Sequence, residues 1–190
     1  TRVEEQYRNL DTRIISGFDF SARYFVNSDY GNFNFIVNIS KLEKFRQKAG
    51  NDFIELIDAQ EKGIIPEELA ITGFSDLIEK DGSPKIQANF KFLWNRGSWG
   101  LGLFGRHIGE FYETRNKLSD GRLWKVKAYN TINTFIDYNF KISGSQSNLR
   151  LGINNIADER APLASDIFGY YIDKHDNLGR SYYINFIHRY

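Results

Sequence analysis

The segment DKHDN, residues 173–177, carries the densest run of ligand-type side chains in the sequence. Asp173, His175 and Asp176 together have the chemistry of a metal site, carboxylate and imidazole within a few residues. A solvated loop tip has the same composition, and that is the reading preferred here. The acidic pairs Glu67/Glu68 and Asp158/Glu159 likewise read as solvated loop charge. The other two histidines, His107 and His188, have no partners at catalytic spacing, and no serine stands in a nucleophile-elbow context. The GLGLFG run at residues 100–105 is rich in glycine. A phosphate-cradling loop needs a strand before it and a helix after it, and here the alternation of a strand runs straight through. Its glycines are read instead as room on one sheet face for a bulky neighbour. The residues therefore predict no catalytic group, no resident cofactor and no metal, hence a protein that binds or moves something without breaking bonds.

Composition narrows the class. The chain has 190 residues, with 25 Lys and Arg against 24 Asp and Glu. That balance argues against a nucleic-acid partner, which selects a basic excess. There is no Cys, so no disulfide framework and no thiolate site. There is no Met, and the first residue is Thr1, so the chain is expected to have lost its beginning. No run of 18 apolar residues exists to make a membrane helix. Phe, Tyr and Trp make up 16% of the chain, which favours strands.

The elements that would position any site alternate with period two. Seven segments do so, near residues 14–26, 33–41, 86–95, 99–106, 132–142, 149–154 and 180–190. In the third, Ile86, Ala88, Phe90, Phe92 and Trp94 oppose Gln87, Asn89, Lys91, Leu93 and Asn95. Short connections rich in Gly, Asn and Ser take turns with long ones at residues 42–85, 107–131 and 155–178. One short helix is expected within DFIELIDAQEKG, residues 52–63. The pattern predicts an antiparallel meander with unlike rims. One face is apolar. The other carries Asp19, Arg23, Lys91, Arg106, Asp137, Lys141 and Arg150. Strand length, loop alternation and aromatic content fit the wall of an outer-membrane β-barrel, whose apolar face meets lipid and whose polar face meets the lumen.

The order of motifs carries a resemblance to a family. The chain ends on Tyr190, with Phe186, Ile184 and Tyr182 at alternate positions before it. LRLGINNIADERAP, residues 149–162, is similar to a penultimate strand with its N-hydrophobic-x-D ending. YRNLDTRIISGFDFSARY, residues 7–24, is similar to a strand bearing a glycine-hydrophobic-acidic step, here Gly17, Phe18 and Asp19. In these features the whole chain resembles the C-terminal portion of a TonB-dependent outer-membrane receptor. His188 departs from the apolar residue usual at its place.

The resemblance implies that residues 1–190 are the last seven strands of a probable 22-stranded transmembrane barrel, with the earlier strands and the plug domain absent. It implies a bacterial outer-membrane, multi-pass protein with a periplasmic C-terminus. The implied function is energy-coupled uptake of a scarce large solute such as a ferric siderophore, cobalamin or an oligosaccharide. The implied partners are the rest of the barrel and its plug, a TonB-type energy transducer, the barrel-assembly machinery and outer-membrane lipid. Tyr182, Ile184, Phe186 and Tyr190 would form the assembly signal, and the seven polar-face charges would meet the plug. Phe168, Tyr170 and Tyr171, in the last long connection, are candidates for binding solute. Two alternatives remain open: a soluble, secreted β-sandwich binding module, and a passive outer-membrane barrel.

Overall fold

A computed structural model describes residues 12–190. Residues 7–11 of the motif-bearing segment 7–24 lie outside the described residues. The strands are β1 Arg13–Ser28, β2 Gly31–Gln47, β3 Ser75–Asp76, β4 Ile86–Arg96, β5 Trp99–Ile108, β6 Phe111–Lys117, β7 Leu123–Val126, β8 Tyr129–Ile142, β9 Ser145–Asn154 and β10 Ser181–His188. One helix, α1 Asn51–Glu61, follows β2.

Tight turns set the registers. β1 and β2, β4 and β5, and β8 and β9 are each joined by two residues, pairing Ser28 with Gly31, Arg96 with Trp99, and Ile142 with Ser145. In the last of these, Ser143 and Gly144 have φ of 50° and 84°. Two successive positive φ values give a turn whose twist matches that of the strands it joins. Near its other end, β1 slips register between Ser16 and Gly17. There a Cβ on Gly17 would stand 2.4 Å from the Lys41 carbonyl oxygen. Only glycine lets the two backbones approach so closely at the irregularity.

The main sheet runs β1-β2-β4-β5-β8-β9-β10, every pair antiparallel, with β3 attached to the end of β2; β6 and β7 form a separate hairpin. Several elements exceed the alternating pattern. β2 continues to Gln47 through LEKFRQ, and β9 begins at Ser145 through SQSN, because pairing to a long neighbour carries polar residues into the ladder. The hairpin β6–β7 lies inside a stretch read as loop; its polar FYETRNK strand gives little apolar signal.

The fold is all-β around one open sheet, and this corrects the barrel. β1 and β10 are its two edges and do not pair with each other. The described residues form an open sheet that encloses no lumen, so the expected transmembrane barrel wall is corrected to an open all-β sheet. A bare edge in lipid would leave a row of unsatisfied N–H and C=O groups. The multi-pass outer-membrane placement with a periplasmic C-terminus falls with closure. So does energy-coupled uptake of a siderophore, cobalamin or oligosaccharide. Without a lumen there is no chamber for a plug, and the implied partners lose their basis: the remaining barrel, the TonB-type transducer, the assembly machinery and outer-membrane lipid. No helix among the described residues is long and apolar enough to cross a membrane.

The sheet itself is a single layer. On its apolar face, registers align Tyr24, Phe35, Phe92 and Leu103 across four strands, with Phe35 and Phe92 rings 4.9 Å apart. At the far edge a second aromatic group runs through Phe140, Phe186, His188 and Tyr190, where His188 stacks on Phe186 and meets Tyr190 edge-on. The imidazole therefore keeps the parity of the apolar residue it replaces. Tyr182, Ile184, Phe186 and Tyr190 all stand exposed. The buried apolar core lies elsewhere. Ile108, Phe111, Val126 and Tyr129 are the buried apolar side chains among the described residues, and all four sit where the long connections fold over the rim.

Candidate functional site

The rim core forms where β5 and β8, paired to their ends at Ile108 and Tyr129, give way to the long connections. Ile108 ends β5, Tyr129 begins β8, and the β6–β7 hairpin between them supplies Phe111 and Val126. The connection of residues 155–180 closes over this cluster. Tyr171 meets Phe111 edge-on at 5.0 Å, and the His175 ring stacks on Phe111 at 6.1 Å and meets Tyr129 at 5.2 Å.

Polar clamps hold this cap. Asn155, with φ of 51°, accepts from the Glu159 N–H at 2.9 Å and donates to the Glu159 carbonyl at 2.8 Å. Its own N–H donates to Asn133 Oδ1 at 2.7 Å, fixing the start of the connection to β8. Asp158 accepts from the Arg180 N–H at 2.7 Å, tying the start to the finish. That bond, assisted by Arg160 and Arg180, holds the Asp158 carboxyl below its ordinary range. Asn155 and Asp158 are the first and last residues of the N-hydrophobic-x-D motif, so the motif acts as the clasp of this loop. Further along, Glu113 of β6, 2% exposed, accepts from both the N–H and hydroxyl of Ser165 at 2.8 and 3.0 Å. The Trp124 indole donates to the Leu163 carbonyl at 2.9 Å.

Beneath the cap, on the polar face, lies a cleft of about 290 Å³. β5 contributes Arg106, β8 contributes Tyr129, Thr131 and Asn133, β9 contributes Asn154, and the cap contributes Asp176. Tyr129 Oη donates to the Asp176 carbonyl at 2.6 Å, so the buried ring also fixes the cleft wall. Burial raises the Tyr129 phenol above its ordinary range. Burial lowers the His175 imidazole, and the Arg106 charge lowers it further. Tyr171 is pushed up to about 12, first by burial and then by the Glu113, Asp81 and Asp166 carboxylates.

The remaining positions singled out from sequence are placed as follows. Asp137 takes Arg150 at 2.6 and 2.9 Å, and the Arg150 guanidinium lies 3.8 Å from the centre of the Phe135 ring. Lys91 stands over Phe104 at 5.7 Å. Asp19, Arg23 and Lys141 are exposed. The charges expected to meet a plug thus include a pair satisfied within the sheet. Phe135 lies over Gly102 and Tyr183 over Gly152, where any Cβ would fall within 2.3 Å of the ring. Phe168 is 64% exposed, whereas Tyr170 and Tyr171 are half-buried.

DKHDN does not converge. Asp173 pairs with Lys174 at 2.6 Å, Asp176 Oδ1 accepts from the Leu178 N–H at 2.9 Å, and His175 turns inward. No cluster of three imidazole or acidic groups forms among the described residues. The cleft was not legible in the sequence, because its walls come from four separate segments. The one signal pointing to it was Arg106, charged and flanked by Gly105 and His107 on a strand.

The model of a family described as TonB dependent receptor-like, beta-barrel, matches residues 2–156. No curated protein matches the chain. The match ends before β10, so the terminal strand and its aromatic end draw no support from it. Assignment of the chain to the C-terminal portion of a working receptor barrel is corrected accordingly: the likeness is to the family, in an open sheet.

Proposed function

Given that the chain belongs to the TonB-dependent receptor-like β-barrel family, we propose that it is a non-catalytic recognition module. An open sheet serves as a rigid wall, and a clasped loop cap over one rim forms the binding surface. The observation that carries this reading is the place of the core. The four buried apolar residues lie under the cap and behind the cleft, so order is concentrated where a ligand would sit. Binding sites favour loops held on a rigid scaffold. The alternative of a binding module fits an open sheet better than uptake through a barrel, with the cap in place of a second sheet. Phe168, 64% exposed in the cap connection, is free to serve as a further aromatic contact for solute outside the cleft.

The three histidines support a role without bond chemistry. His107 Nδ1 is engaged by Asn130 at 2.7 Å, His188 Nδ1 by Ser147 at 2.9 Å, and His175 is sealed in the core. The reading is tested by ligand-observed NMR on the full chain with a panel of small polar solutes. Binding that is abolished by Thr131→Trp, which fills the cleft, is the expected result. A panel indifferent to that substitution, with binding elsewhere or none, rejects the reading.

A further inference from the structure

We propose that the cleft takes a small zwitterion, a solute of α-amino-acid size carrying one carboxylate and one ammonium group. This rests on the recognition reading above and names the ligand class.

Two opposite charges line one cleft without meeting. The Arg106 guanidinium makes no ion pair among the described residues, and Asp176 is not its partner. Asp176 uses Oδ1 for the Leu178 N–H and leaves Oδ2 unengaged. The neutral groups divide in the same sense. Asn133 has its Oδ1 engaged by the Asn155 N–H and its Nδ2 donors unengaged, so it favours an acceptor in the cleft. Asn154 has one Nδ2 hydrogen on Ser181 Oγ at 3.2 Å and its Oδ1 unengaged, so it favours a donor in the cleft. Arg106 and Asn133 are therefore donors suited to a carboxylate, while Asp176 and Asn154 are acceptors suited to an ammonium.

The same arrangement rejects other classes. A phosphate or dicarboxylate meets the Asp176 charge, and a simple amine meets Arg106. A neutral sugar makes hydrogen bonds charged on the protein side only, without the ion pairing that a zwitterion makes with both charges. At about 290 Å³ the cleft admits an amino acid with its side chain and excludes a macrocycle.

The test is calorimetry on the full chain with L-glutamine, its methyl ester, N-acetyl-L-glutamine and glucose. L-glutamine is expected to bind, and each blocked form to bind about tenfold more weakly or worse. Arg106→Gln and Asp176→Asn, both at exposed positions, are each expected to weaken L-glutamine by a similar factor. If the blocked forms bind as well as L-glutamine, or if both variants leave its affinity unchanged, the zwitterion assignment is overturned. Glucose binding that Thr131→Trp abolishes would overturn it too while preserving the cleft as a recognition site. No binding of any member would overturn both.

Discussion

His175 is 4% exposed and neither of its ring nitrogens has a hydrogen-bond partner. A buried unsatisfied polar group costs about 1–3 kcal/mol. Its surroundings explain why protonation would be worse. Phe111 and Tyr129 pack on the ring, Tyr171 packs on Phe111, and Arg106 opposes a second positive charge. Among its neighbours in sequence, Lys174 also opposes the charge and Asp173 favours it. The folded-state pKa is lowered, so the unfolded chain binds a proton first as pH falls. The stability His175 permits is complete above the unfolded value of about 6.5 and is lost as pH drops from there toward the lowered folded value. Denaturant titrations at pH 7.5 and 5 should show this loss, and His175→Phe should shrink it while raising stability by about 1 kcal/mol at neutral pH. An acid limb unchanged in that variant would mean that other groups set it. At Asp137, substitution by Ala should cost about 1 kcal/mol, a figure reduced because the Arg150 side chain is 38% exposed. Circular dichroism melts of the single and paired variants give the coupling.

Elements show where sequence sufficed. In residues 86–95 the alternation is unbroken, and β4 occupies Ile86–Arg96 with its apolar parity on one face. A strict period leaves the chain only one way to lie in a sheet with unlike faces. β6 gave no such signal, because FYETRNK has one strongly apolar residue, Phe111, whose burial depends on Tyr171 and His175 sixty residues away. The cap was illegible for the same reason: DKHDN reads as a polar tip, yet burial of its imidazole is decided by rings on β6 and β8. Asn155 is the element-scale test. Asn155→Ala removes two bonds to Glu159 and places Ala at a φ of 51°, a region that asparagine tolerates better. It should cost about 2–3 kcal/mol and raise amide exchange through residues 155–180 before the sheet responds. Uniform exchange across sheet and cap would show that the clasp is not a local device.

At the scale of the molecule, one layer whose two edges are unpaired among the described residues is poorly protected from itself. Phe18, Phe20 and Tyr24 on β1 are exposed, and Ile184 and Phe186 stand out on β10. Edges that are long, apolar and unpaired template further pairing. Light scattering of the chain in plain buffer should find association, and Phe20→Lys with Tyr24→Lys on β1 should suppress it. Monomers at high concentration without those changes would show that the edges are shielded in solution. The two rims also differ in what length changes they can absorb. Three turns of two residues bind one rim, and each extra residue there slides a ladder by a step and turns its apolar side chains to the wrong face. The opposite rim carries connections long enough to take up insertions without moving a strand. Genetic drift in chain length therefore has one permitted direction: this protein can be rewritten at its capped end and is nearly fixed at the other.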